Sequence, residues 1–126
     1  MERKTLAEVL EEVKTYLLED PTLERGCMIS KDGNMHPFEN VSEHPRGLIQ
    51  MGPDAFKTLC SLAVDDNLYA WVHSHPFCAP YPSTIDVGMH DLPCNMIIYG
   101  IQEDEFKIYS NEEIRQLKAG LQIRGA

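Results

Sequence analysis

The sequence is poor in basic side chains, and this shortage excludes two classes of function. Lys and Arg number 11 against 20 Asp and Glu in 126 residues, so the formal net charge at pH 7 is -9. A nucleic-acid-binding protein needs a basic face to displace counterions from phosphates. An anionic membrane surface attracts basic segments for the same electrostatic reason. The composition therefore predicts that neither nucleic acid nor a membrane is a partner.

Cysteine is sparse, and long apolar runs are absent from the sequence. The four cysteines are scattered without a CxxC pair, which indicates neither a disulfide framework nor a cysteine zinc site. No run approaches the roughly 20 apolar residues of a membrane span. The N-terminus also lacks the apolar central region of a signal peptide. We predict a cytoplasmic protein.

Hydrophobic periodicity predicts one mixed domain over residues 1–126. Capping boxes beginning at Thr5 and Ser110 predict helices near the two ends, the second over about 111–121, and Pro53 begins a third helix. Apolar runs and alternating segments predict strands at 27–30, 35–38, 68–72, 96–101 and 105–109. The expected fold class is α/β (α+β), with a mixed sheet of about five strands flanked by helices.

One segment of the sequence predicts a functional site. It contains a His-x-His pair, His73 and His75, followed by Asp86. Side chains alternate along a strand, so both histidines project to the same face and can bind one ion. Asp86 adds an oxygen ligand if the chain turns back, which the three prolines in residues 76–82 favour. Two histidines, an aspartate and a position open to water are the composition of a catalytic zinc site.

Each part of this pattern also has a purely structural interpretation. Ser83 and Asp86 have the Ser-x-x-Asp spacing of a helix N-terminus, with Ser83 as the cap. Taken alone, a histidine pair at a strand end is more often a surface or hydrogen-bonded pair than a metal site. The joint pattern arises by chance in on the order of one in several thousand chains of this length, given average residue usage. Capping and metal binding are compatible, because a capped turn would present Asp86 to the ion.

The segment from Val72 to Asp86 resembles the JAMM motif of the MPN+ zinc metalloproteases at its four defining positions, His73, His75, Ser83 and Asp86. The resemblance implies an MPN/JAMM sandwich of the cytidine-deaminase-like type. It implies one Zn²⁺ with a bound water, held by both histidines and the aspartate, and a serine that helps to stabilise the tetrahedral intermediate. The implied reaction is hydrolysis of a peptide or isopeptide bond.

In that family the general base is a glutamate on the first strand, and the resemblance gives this role to Glu24. The usual order in the family is Glu-x-Cys-Gly, whereas Gly26 precedes Cys27 here, so the register of the segment differs slightly. The Asp32-Gly33 turn predicts that the strands at 27–30 and 35–38 form a hairpin. Glu39 and Glu43, in the loop after this hairpin, are the alternative bases.

Within that family the sequence resembles the N-terminal JAMM domain of lambda K-type phage tail assembly proteins. The similarity lies in Asn40, the Pro53-x-x-Phe56 segment and Leu92-Pro93. Those proteins continue into an NlpC-type cysteine peptidase domain, so this chain is expected to be a stand-alone version or one half of a split pair. The implied partners are a peptide or protein substrate, phage tail-tip proteins and a separate NlpC-type peptidase, in the bacterial host cytoplasm or the virion tail.

Two functions of different classes remain as hypotheses. The first is a zinc-dependent metallopeptidase or isopeptidase in phage tail-tip assembly. The second is a structural tail-assembly or adaptor protein that retains a metal-binding JAMM fold.

Cys78, three residues after His75, is either a fourth zinc ligand that makes the site latent or a loop cysteine without that role.

The acidity is concentrated around the metal motif. Residues 58–106 contain seven acidic side chains and no Lys or Arg. Phosphate esters are bound by Lys or Arg clamps, so they are poor candidates for the substrate. The charge distribution predicts that a neutral or basic peptide suits this site better than an acidic one.

Overall fold

A computed structural model describes residues 4–88, 90 and 93–124. Leu92, which contributed to the phage resemblance, and Asp91, one of the seven acidic residues, lie outside the described residues. Four helices and five strands follow one another in the part described: α1 (Leu6–Leu17), β1 (Gly26–Ser30), β2 (Met35–Phe38), α2 (Pro53–Val64), β3 (Leu68–His75), α3 (Thr84–Gly88), β4 (Asn95–Gly100), β5 (Glu105–Tyr109) and α4 (Asn111–Arg124).

The strands form one mixed sheet in the order β2-β1-β3-β4-β5, which confirms the predicted fold class. The central strand β3 pairs antiparallel with β1 and parallel with β4. The outer pairs, β1 with β2 and β4 with β5, are antiparallel hairpins. Parallel neighbours need a crossover connection, and here the crossover contains α3. The crossover leaves β3 at His75, so the metal motif lies at the carboxyl end of the central strand.

The helices begin where the capping signals predicted. Thr5 and Glu8 form a complete capping box at α1, and Ser110 and Glu113 exchange the same two hydrogen bonds at α4. The end predicted for the last helix, near residue 121, is wrong: α4 continues to Arg124, because residues 121–124 contain no glycine or proline to end it. No helix in the described part of the chain has both the length and the apolar character needed to cross a membrane.

The two faces of the sheet are covered unequally. Among the described helices, α1 covers one face, through a buried cluster of Val9, Val13, Leu17, Cys27, Ile29, Ala70, Val72, Ile97 and Tyr99. The other face packs against α2, α3 and α4, through residues that include Met28, Leu59, Val87, Met96, Ile98 and Ile114. Each fully buried Val, Leu or Ile contributes about 1.5–3 kcal/mol. The face covered by three helices also carries both histidines of the motif.

Candidate metal centre

His73 and His75 lie side by side at the end of β3 with their rings on the same face, as the alternation predicted. Their side chains are 0% and 4% exposed. Their Nε2 atoms are 3.1 Å apart, so both rings aim the same nitrogen at one point. A fixed, buried pair of this kind differs from the mobile histidines of a surface strand end.

Asp86 reaches the same point because α3 begins with a reciprocal cap. The Asp86 backbone N–H donates to Ser83 Oγ at 3.0 Å, and the Ser83 backbone N–H donates to Asp86 Oδ2 at 2.9 Å. The capping interpretation of Ser-x-x-Asp therefore holds. The cap also turns the carboxylate inward, where Oδ2 lies 3.2 Å from the Nε2 atoms of both His73 and His75.

The three converging atoms have the spacing of ligands on one small ion. A tetrahedral zinc site with bonds of about 2.0 Å places neighbouring ligand atoms about 3.3 Å apart, and here the spacings are 3.1 to 3.2 Å. Nδ1 of His75 lies 2.9 Å from the Ala79 carbonyl, which can only accept a hydrogen bond. The neutral His75 ring therefore presents a lone pair on Nε2 to the Asp86 carboxylate, and only a proton or a cation relieves their repulsion. The donor set fits a divalent metal ion.

The protonation states around this point also favour a cation. Burial opposes ionisation of Asp86, but hydrogen bonds from His73 and His75 outweigh it and hold the pKa of the carboxyl below its ordinary value. Burial lowers the pKa of His73 and outweighs the opposing effect of Asp86. Burial also acts to lower the pKa of His75, but its bonds to Asp86 and Ala79 raise it overall. The Asp86 carboxylate thus favours a positive charge at this point.

Glu24 lies against this cluster on the same face of the sheet. It precedes Gly26 by two residues, and Gly26 pairs with His73 in the ladder between β1 and β3. One carboxylate oxygen of Glu24 and one nitrogen of each histidine lie within 4.8 Å of one another. Glu24 is therefore close enough to both histidines to reach the same ion. Burial, with a contribution from Asp86, raises the pKa of Glu24 to about 7.

The backbone of Glu24 is fixed on both sides by the loop after β2. The Glu24 N–H donates to the Pro45 carbonyl at 2.7 Å, and Asn40 Nδ2 donates to the Glu24 carbonyl at 2.8 Å. Asn40 Oδ1 accepts from the backbone N–H groups of Ser42 and Gln50, which closes the loop. The loop after β2 therefore positions the candidate base.

Ser74, between the two histidines, is a site residue that sequence reasoning missed. Its hydroxyl accepts from the Arg25 N–H at 3.0 Å and contacts the Leu23 carbonyl at 3.4 Å, and its own N–H donates to the Arg25 carbonyl at 3.0 Å. These bonds tie the segment containing Glu24 to the strand that carries the candidate metal ligands. The local signal was a small polar residue between the two histidines.

The other residues considered from the sequence lie at the surface. Glu39 and Glu43 are exposed, and neither belongs to the metal-binding group found among the described residues. Cys78 is exposed and free. Partial burial raises the pKa of its thiol, and the charges of Glu24 and Asp86 add to this effect, so the thiol lies within their electrostatic reach.

The ring of His73, a candidate ligand, has an unusual environment in the core. Within the described residues, Nδ1 of His73 and Nε1 of Trp71 are buried without a hydrogen-bond partner. The two rings are neighbours, with centroids 4.5 Å apart. A metal ion on Nε2 would leave the ring proton of His73 on Nδ1, where no group in the described part of the chain accepts it.

No protein-family model matches the chain, and a search of curated proteins found no match either. The resemblance to the JAMM motif therefore rests on the motif residues themselves.

Proposed function

We propose that this chain is a zinc-dependent hydrolase that cleaves an amide bond, either a peptide or an isopeptide. The observation that carries the proposal is the convergence of His73 Nε2, His75 Nε2 and Asp86 Oδ2 at 3.1 to 3.2 Å, with Glu24 beside them. These two histidines and the aspartate would hold the ion. When bound, zinc supplies Lewis acidity and a water activated near neutral pH.

Glu24 and Ser83 have separate roles in the proposed reaction. A general base works best when its pKa is close to the working pH, and burial raises the pKa of Glu24 to about 7. Glu24 takes a proton from the attacking water and passes it to the leaving amine. Ser83 Oγ already accepts from the Asp86 N–H, so its own proton is available to the oxyanion that develops on the attacked carbonyl.

The surroundings of the site support a peptide substrate with apolar side chains. Three large apolar residues that flank the ligands in sequence are solvent-exposed: Phe77 by 58%, Tyr81 by 64% and Ile85 by 52%. No Lys or Arg occurs in residues 58–106 to hold a phosphate or a carboxylate. We therefore expect neutral or basic peptides with apolar residues next to the cleaved bond to be preferred over acidic ones.

The test is cleavage of a mixed peptide library by the zinc-loaded chain, followed by mass spectrometry. We expect new termini that disappear when a chelator is added. Glu24→Gln should abolish cleavage and retain zinc, whereas Glu43→Gln, the exposed alternative base, should cleave like wild type. A zinc-loaded wild type that cleaves nothing, or a Glu24→Gln variant that remains fully active, would contradict the proposal.

We extend the proposal to phage tail-tip assembly on the strength of the motif resemblance. The expected substrate is a tail-tip protein. Incubation of that protein with the zinc-loaded chain should generate a new N-terminus with wild type and none with Glu24→Gln. An adaptor that acts only by binding would bind equally in both cases and leave the partner uncut.

A further inference from the structure

The segment of residues 76–82, which we call the strap, connects His75 to the cap of α3. Pro76 and Pro80 of the strap are buried, whereas Phe77, Cys78 and Ala79 are exposed. A connection with so much exposed surface needs specific contacts to keep one position. Two hydrogen bonds and one close backbone approach supply them.

The first contact links the strap directly to a proposed metal ligand. Nδ1 of His75 lies 2.9 Å from the carbonyl oxygen of Ala79. A carbonyl can only accept, so Nδ1 carries the proton and Nε2 keeps the lone pair that a metal needs. The acceptor is a backbone atom of an exposed residue. The orientation of the His75 ring therefore depends on where the strap lies.

The second contact holds the next carbonyl along the strap. The hydroxyl of Tyr109, on the edge strand β5, donates to the Pro80 carbonyl at 2.8 Å. Tyr109 pairs with Met96, and Gly100 lies four residues further along β4. Because its hydroxyl contacts Pro80, the Tyr109 side chain extends along the sheet towards the strap. Two consecutive carbonyls, those of Ala79 and Pro80, are thus fixed by His75 and Tyr109.

The third contact is the close approach of Pro80 to Gly100, which pairs with His75 across the parallel ladder. A Cβ at Gly100 would lie 2.8 Å from Pro80 Cδ and 3.1 Å from Pro80 Cγ. A distance below 3.0 Å forces a shift of the proline ring. Glycine is required at this position for the strap to rest against β4.

We propose that Tyr109 is a positioning residue for the metal ligand His75 and acts through the strap. Tyr109 holds the Pro80 carbonyl, Pro80 rests on Gly100, and the adjacent Ala79 carbonyl then fixes the tautomer and rotation of the His75 ring. Hydrogen-bond partners of metal-bound histidines typically contribute a factor of about 10 to 100 in metal affinity. The inference rests on the proposed zinc site, although its effect on the His75 ring does not require zinc.

The experiment compares Tyr109→Phe with Tyr16→Phe. Tyr16 is a matched control because its hydroxyl also donates to a backbone carbonyl, that of Phe38, at 3.0 Å on the opposite edge hairpin. The readouts are zinc affinity, by competition with a chelator, and the His75 tautomer in the metal-free protein, by ¹⁵N NMR of labelled histidines. Tyr109→Phe should lower zinc affinity about tenfold and give His75 signals of mixed tautomers. Tyr16→Phe should leave both readouts at wild-type values.

A second pair of variants guards against a simple loss of folding. Gly100→Ala should displace Pro80 and change the His75 signals in the same direction, whereas Gly47→Ala, where a Cβ meets nothing within 4 Å, should change neither readout. A folded Tyr109→Phe variant with unchanged zinc affinity and an unchanged His75 tautomer would overturn the inference. A wild type that binds zinc without cleaving peptides would contradict the proposed function alone.

Discussion

Gly26→Ala is the substitution whose effect follows most directly from the coordinates. Gly26 pairs with His73 on one side and with Phe38 on the other. An added Cβ would lie 2.5 Å from Ile49 Cδ1, 2.6 Å from Phe38 Cζ and 3.0 Å from the Val72 carbonyl oxygen. The two side-chain atoms can move, but the carbonyl belongs to the central strand and cannot yield without disturbing the ladder.

Overpacking of this kind typically destabilises a protein by about 1–3 kcal/mol. For a chain of this size the corresponding loss of Tm is about 4 to 12 °C. Urea unfolding of the metal-free protein measures the free energy, and Gly47→Ala, which has open space around the new Cβ, should stay within about 0.5 kcal/mol of wild type. A Gly26→Ala variant that is as stable as Gly47→Ala would refute the expected clash.

Three further predictions concern individual side chains. Ser74→Ala removes the acceptor of the Arg25 N–H and should destabilise the protein by about 1–3 kcal/mol in urea unfolding; an unchanged midpoint would contradict the role given to Ser74. Glu24 has a pKa raised from 4.5 to about 7. Its contribution to the stability of the folded state is therefore fully present below pH 4.5 and is lost as the pH rises through 7. In urea unfolding, the free energy of unfolding of metal-free Glu24→Gln should therefore exceed that of wild type by about 3 kcal/mol at pH 8 and lose this advantage at pH 4; equal stability at pH 8 would contradict the buried charge. A thiol reagent at pH 8 should modify exposed Cys78 in the native protein but not buried Cys27, whose pKa is raised to about 12, and mass spectrometry of the labelled peptides reads the result.

Features with local signals in the sequence could be predicted. The capping boxes that begin at Thr5 and Ser110 involve residues only three positions apart, and both helices begin there. The Asp-Gly turn of the first hairpin is also local, and Gly33 takes the positive φ of 89° that such a turn requires. The alternation of side chains placed His73 and His75 on the same face for the same reason.

Features that depend on distant parts of the chain could not be predicted. The bond between Ser74 and Arg25 spans 49 residues, and the one between Tyr109 and Pro80 spans 29. Nothing in the local sequence distinguishes Ser74 from any other serine, or Tyr109 from any other tyrosine. The close neighbours of Gly26, Ile49 and Phe38, come from a loop and an edge strand whose packing appears only in three dimensions.

Calorimetric titration of the metal-free chain with Zn²⁺ tests the central claim, that His73, His75 and Asp86 form one metal site. The site predicts one ion per chain, with binding lost in His75→Ala and in Asp86→Asn. Both variants should still fold, as judged by circular dichroism. A wild type that binds no zinc, or a folded His75→Ala variant that binds it with unchanged affinity, would contradict the account.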